Sequence, residues 1–301
     1  MPDRDWIVII ILGIGWGTTF FFNEVLLREM GPVTISFARV VTAALFCGIW
    51  AALAGHRPWR RTGQLGPIAF FGIVMFALPL AIYPIGQQFV ASGVAGIVNA
   101  LTPVMVVIVS HFWPDGERAT LLKSLGVGAG LLGIVLLTLP ALADDSSARL
   151  FGTLFLVLAP ICYAVAMNYF RRLHGLTLTV MLTWAFGFAA AFLLPLVLVL
   201  EGVPEALSPE TWASIAIIGI VLTGLSFIAA FTILPRAGAT KTSTVTFIAP
   251  ISALLIGYYV LNEDLGPLHL AGMAAIFLGL LLIDGRLFGP GRRRAAVEDG
   301  R

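Results

Sequence analysis

The sequence predicts an all-α integral membrane protein, with ten transmembrane helices arranged as two inverted five-helix repeats. Three observations lead there: an apolar composition, ten separated apolar runs of bilayer length, and a pattern of Gly, Pro and Glu that recurs in the second half. Of 301 residues, 59% are hydrophobic and 11% charged, with mean hydropathy +0.98; a soluble domain carries roughly 25% charged residues. Sixteen acidic and 18 basic residues cannot coat a core of this size, so most of the surface must meet lipid. A net charge of +2 without a clustered basic face sets nucleic-acid partners aside.

A hydrocarbon core about 30 Å thick needs about 20 apolar residues per helix, and lipid offers the backbone no other partner. Helices are therefore expected near 6–27, 33–54, 66–87, 92–113, 119–140, 149–170, 177–200, 211–234, 240–261 and 267–287. The run from Trp6 continues to Leu27 without a small-residue cleavage pattern, so it reads as a first span rather than a signal peptide. Gly31-Pro32, Gly55 to Pro58, Pro114-Asp115-Gly116, Asp144 to Ser147, Gly202 to Pro209 and Asn262 to Pro267 supply breakers, while Tyr83 to Ser92 is only mildly polar. Of the 18 Lys and Arg, all but Arg28, Arg39 and Arg149 fall on the side of the termini. The positive-inside bias then places both termini in the cytoplasm, with a bacterial inner membrane as the expected location. Cys47 and Cys162 lie in apolar stretches and can build neither a disulfide framework nor a thiolate metal site. The stretch 289–301 reads as a disordered cytosolic tail, whose Arg292-Arg293-Arg294 either touches anionic lipid or anchors the topology.

Ile68–Met75 aligns with Ile215–Leu222, and the same offset pairs Leu78 with Leu225 and Pro103 with Pro250. With one residue dropped, Glu117 pairs with Glu263, Gly126 with Gly272 and Gly133 with Gly279. The expected units are thus 1–145 and 146–288, five spans each. An odd number of spans inserts the second copy from the opposite side, related to the first by an in-plane pseudo-two-fold, which is an architecture of transporters. Gly15-Trp16-Gly17-Thr18-Thr19-Phe20, Arg39, Asn99-Ala100-Leu101-Thr102-Pro103 and the repeated Pro, Glu, Gly-x6-Gly order resemble the EamA domain of the drug/metabolite transporter superfamily, in two tandem copies over 6–287. The second copy departs from it at Cys162-Tyr163, where the first has Trp16-Gly17. The resemblance implies a ten-helix bundle, cytosolic termini and efflux of amino acids or other small metabolites.

Polar groups inside spans should face a cavity or another helix. Trp16, Thr19 and Asn23 share one helical face; Tyr83 and Gln87 are a turn apart, as are Thr242 and Thr246, and Asn99 and Thr102 lie together on the fourth span. These nine are the expected substrate pathway, the alternative being hydrogen bonds between helices at about 0.6 kcal/mol each. Pro103 and Pro250 bend their helices as gating kinks or as static bends. Arg39, stranded within a span at a cost of at least about 2.5 kcal/mol near the centre, needs compensation. A charge pair with Glu24, snorkelling to the outer interface, or the carboxylate of a substrate would each provide it. Glu117 and Glu263 are expected to cap the helices that follow them, and the GxxxG spacings Gly13/Gly17 and Gly126/Gly130 to allow close packing.

His56, His111, His174 and His269 fall at span ends or in loops, and acids avoid span centres, leaving Glu24 as the one candidate proton relay. There is no GxxxxGK[ST] phosphate loop to drive transport with ATP. Facilitated diffusion or exchange is therefore the leading mechanism and proton-coupled antiport the alternative. A membrane-embedded enzyme would need clustered acids, histidines or a nucleophile with its base, and Asp144-Asp145 supplies none of these; a channel would need a filter loop or ring of charge. The sequence calls for no cofactor and no metal. Its expected partners are a small-molecule substrate and the lipid bilayer, with a homodimer left open.

Overall fold

A computed structural model describes residues 2–57, 63–114, 116–173, 175–204, 206–237 and 239–285, with 2–4 and 234–243 described as backbone. The expected tail at 289–301, with its arginine cluster, and the side chain of Thr242 lie outside the described residues. Ten helical spans follow one another: α1 (Pro2–Leu26), α2 (Pro32–Leu53), α3 (Leu65–Gln87), α4 (Ser92–Phe112), α5 (Leu121–Ala143), α6 (Ser147–Phe170), α7 (Leu178–Leu200), α8 (Pro209–Ile233), α9 (Ala239–Tyr259) and α10 (Pro267–Asp284). Nine of these are long and apolar enough, among the described residues, to cross a bilayer; in α9 the described apolar stretch is the shorter Thr244–Tyr259. Each lies within a few residues of its expected position. Large apolar side chains such as Ile11, Leu45, Ile49, Leu132 and Val199 point outward, the arrangement lipid requires.

Local chemistry starts and stops these helices. Pro32, Pro209 and Pro267 stand in first turns, where a missing N–H costs nothing. Thr120, Ser146 and Ser208 cap α5, α6 and α8 through their side-chain oxygens. Gly285 ends α10 in the left-handed conformation, with φ 69°.

The packing has the exchange symmetry of a two-fold. Helix α5 packs on its counterpart α10, and α2 on its counterpart α7; α1 packs on α9 as α6 does on α4, and α2 meets α8 as α7 meets α3. The α5–α10 seam explains the repeated glycines. A Cβ on Gly126 would stand 2.6 Å from the Gly279 carbonyl oxygen, and one on Gly279 the same distance from that of Gly126. Gly133 and Gly272 stand in the same reciprocal relation, at 2.8 and 3.0 Å. Each repeat's two glycines therefore face the partner's two in reverse order, and the backbones touch. Gly13 and Gly17 likewise face Ile248 and the Ala249–Ser252 turn of α9.

Helices α3 and α8 carry wide π-type turns at matched places, Ile73–Ala77 and Ile217–Leu225. The matched prolines differ. Pro103 opens the second half of a split α4, which breaks at Ala100–Leu101, whereas Pro250 sits inside an uninterrupted α9. Proline at 103 cannot donate to the Asn99 carbonyl one turn back, and the Thr102 hydroxyl donates to that oxygen instead, at 2.8 Å. The Asn99 carbonyl is thus not left bare in the membrane.

Gly126→Ala should destabilise the protein by about 1–3 kcal/mol through overpacking of the α5–α10 seam. Gly128→Ala, where an added Cβ meets nothing within 4 Å, should change stability by less than about 0.5 kcal/mol. Thermal melting of both variants in detergent checks the contrast.

Candidate functional site

A strip of polar side chains lies between the repeats. Arg39 on α2 is buried, 3% exposed, and its Nε donates to Thr223 Oγ1 on α8 at 2.6 Å. Thr223 in turn donates to the Ile218 carbonyl at 2.7 Å, a carbonyl five residues back that the wide turn of α8 brings within reach. The hydroxyl proton is therefore committed to the backbone, and a lone pair faces the guanidinium. Gly219 allows this approach, since a Cβ there would run into the Thr42 side chain and sit 3.1 Å from the Arg39 carbonyl oxygen. Close by on α8, the Trp16 indole N–H donates to Ser226 Oγ at 3.2 Å. On the other side, Tyr83 and Tyr163 lie within electrostatic reach of Arg39. Their rings are 6.4 Å apart, and the Tyr83 hydroxyl donates to Asn99 Oδ1 at 2.6 Å. Phe20 meets Tyr83 edge-on at 5.1 Å. The strip draws on α1, α2, α3 and α4 of the first repeat and on α6 and α8 of the second.

Other expected pathway residues fall elsewhere. Asn23 and Gln87 are buried against each other, Asn23 Nδ2 donating to Gln87 Oε1 at 2.8 Å while Gln87 Nε2 donates to the Phe20 carbonyl at 2.8 Å. This couple ties α1 to α3. Thr19 and Thr102 bond within their own helices, to Gly15 and Asn99 carbonyls. Thr246 is half-buried on α9. The expected Arg39–Glu24 charge pair is not formed. Glu24 stands near Arg28 and Glu263, and with Gln87, Asp264 and His269 it lines a cavity of about 710 Å³. Arg39 is turned away from it, onto α8. Among the described residues, no three His, Cys, Asp or Glu side chains converge to hold a metal ion.

That cavity opens at the arginine-poor end, formed by the connections at 27–31, 88–91, 144–146, 201–208 and 260–266. Here carboxylates clasp helix starts. Glu201, at the end of α7, accepts from Val33 N at 2.9 Å and from Thr34 N and Oγ1 at 2.8 and 2.7 Å. Glu263 accepts from Ser92 N and Gly93 N at 2.6 and 2.9 Å, and Glu29 from Ser208 N and Thr211 Oγ1 at 2.9 and 2.7 Å. Free amides and the helix dipole favour negative charge at these positions. Glu263 thus caps α4 and not α10, the helix that follows it, whose start carries no side-chain cap. Glu117 is exposed and pairs with Lys123 of α5 at 2.8 Å, and this bond holds its carboxyl below the usual range. The bond from the Ser208 amide, with that from Thr211, does the same for Glu29.

Toward the opposite end, aromatic rings of both repeats pack together: Phe76 against Phe186 at 4.2 Å and Phe227 at 5.0 Å, Phe71 against Phe170 at 5.4 Å, and Phe231 against Phe170 at 4.9 Å. Sequence reasoning missed Thr223, Ser226, Glu29 and Glu201, and noted Tyr163 only as a departure between the copies. A signal for Glu201 was present: α2 begins at Gly31-Pro32 with no capping side chain of its own, so its amides call for an acid from elsewhere.

The EamA-like transporter family matches the chain twice, at residues 6–139 and 150–284. The chain belongs to this family. Its members are transporters, not enzymes. Among individual proteins, the chain is similar to the uncharacterized transporter YoaV of Bacillus subtilis, 25% identical over 91% of this chain and 92% of that one. It is also similar to Protein PecM of Dickeya dadantii, 24% identical over 89% of this chain and 88% of the other. A solved crystal structure with TM-score 0.66 and 18% identity covers 93% of this chain and 97% of its own, and shares the fold.

Glu201→Ala should cost about 1–3 kcal/mol, because two backbone amides and one hydroxyl lose a charged acceptor; melting in detergent measures it. For Glu29 the carboxyl is held low in the folded protein, so its contribution is complete above the ordinary carboxylate value and fades as pH falls through the lowered one. The melting difference between wild type and Glu29→Gln should be present at neutral pH and shrink below about pH 4.

Proposed function

We propose that this EamA-family protein is a secondary carrier that exports amino acids or related small metabolites by alternating access, through facilitated diffusion or exchange. The observation that carries this reading is the polar strip from Trp16 through Arg39 to Asn99, supplied by both repeats at their mutual boundary. A site shared by two inverted units can be opened to either side by rocking one against the other. Carboxylate clasps at one end and packed rings at the other offer separable closures. In the proposed orientation both termini face the cytoplasm of a bacterial inner membrane, since the arginine-poor end carries only Arg28 and Arg149 among its basic residues. The matched prolines, the units 1–145 and 146–288, and a tail at 289–301 complete the reading, in which Pro103 with its broken helix is the more mobile hinge.

Glu24 supports proton-coupled antiport as a second reading, because it lines the cavity beside the Asn23–Gln87 couple. Proteoliposomes loaded with unlabelled amino acids should accumulate external labelled solute by counterflow, with no need of a pH gradient. Absence of trans-stimulation for every amino acid tested would refute the carrier reading, and flux only under a pH gradient would select the antiporter.

A further inference from the structure

Arg39 is a cation without a counter-charge. It is 3% exposed in the interior of a membrane protein, and among the described residues it forms no ion pair; both ion pairs found there are exposed and elsewhere. Only its Nε is bonded, to a neutral hydroxyl. Nη1 and Nη2 donate to nothing among the described residues, yet neither is sealed from access in the way that Asn23 Oδ1 or Trp184 Nε1 is. The paired Nη edge is therefore unbonded among the described residues and not fully enclosed. Tyr83, whose hydroxyl is bonded to Asn99, and Tyr163 lie within electrostatic reach of Arg39 and carry no fixed charge.

Retaining such a group is expensive unless something repays its desolvation. A structural role is poorly served by a charge whose one bond a neutral donor could make. A planar guanidinium edge matches a carboxylate bidentately, and the match strengthens when water is excluded. We propose that the Nη edge of Arg39 receives the carboxylate of the transported solute, which makes Arg39 the anchor of a carboxylate-bearing substrate. This rests on the carrier reading above and narrows it: the solute supplies the negative charge that the protein lacks. Thr223, with its proton held by Ile218, fixes the guanidinium from behind and leaves the front edge free.

The test uses the full-length protein in nanodiscs, with the indole fluorescence of Trp16 and its neighbours as signal and a panel of amino acids with their carboxamides as probes. At least one acid should bind, its amide at least about tenfold more weakly, as for any ligand that loses a charged contact in a buried site. In Arg39→Gln the acid-to-amide ratio should fall to about one, while the melting temperature stays at or above that of wild type, since a buried charge has been removed. Arg39→Lys should keep part of the preference. Equal binding of acid and amide, no binding of any acid, or an unchanged ratio in Arg39→Gln overturns the proposal, as does a melting loss in Arg39→Gln with the acid preference intact. Counterflow of the same acid separates the two readings. Binding without trans-stimulation keeps the Arg39 anchor and removes the carrier, whereas trans-stimulation indifferent to amidation keeps the carrier and removes the anchor.

Discussion

Hydrocarbon offers no hydrogen bonds, and that single constraint organises this protein from helix ends to central strip. The carbonyl released by Pro103 is taken by Thr102, and the Ile218 carbonyl is taken by Thr223. The starts of α2, α4 and α8 borrow carboxylates from segments far away in sequence. The carboxylate bonds also tie one element to another, so there satisfying the backbone and assembling the bundle are the same act. Where a buried cation keeps unbonded donors, at the Nη edge of Arg39, function is the economical explanation.

The two-fold relation between the repeats is close in the scaffold and broken in the site. At the α5–α10 seam, glycines face glycines reciprocally and leave no room for divergence. Around the strip the copies part: Trp16 has no matching indole in α6, where Tyr163 stands instead; Pro103 splits its helix and Pro250 does not; Glu263 clasps a helix start while Glu117 pairs with a lysine in solvent. Packing demands symmetry because both helices must approach equally. Recognition of an asymmetric solute demands the opposite.

Much of the architecture was legible in the sequence. Apolar runs, breakers and the uneven spread of arginine gave the ten spans, and the ordered matches from Pro103 to Gly133 and from Pro250 to Gly279 gave the repeat. These signals survive because they report lengths and backbone contacts, which sequence encodes locally. The site was read less well. Trp16, Arg39, Tyr83 and Asn99 stood out as polar groups in apolar runs, and the structure assembles them into one strip. Thr19 and Thr102 stood out equally and bond within their own helices. Glu24 was assigned to Arg39 because both lie near the same end; the distance between α1 and the α8-facing side of α2 is not written in either segment. Glu263 was assigned to the helix after it, and only the fold reveals that Ser92 lies closer.

The wide turns of α3 and α8 have an angular consequence. On an unbroken helix successive residues advance by about 100°, so Phe71 and Tyr83 would point about 120° apart. The turn at Ile73–Ala77 inserts roughly one residue into the spiral, which reduces that angle to about 20°. On that reckoning Phe71, whose ring meets Phe76, Phe170 and Phe231, and the Tyr83 hydroxyl bonded to Asn99 fall on nearly one side of α3. Were this turn to tighten into ordinary α-helix with all its residues kept, Tyr83, Gln87 and everything beyond them would swing by about 100°.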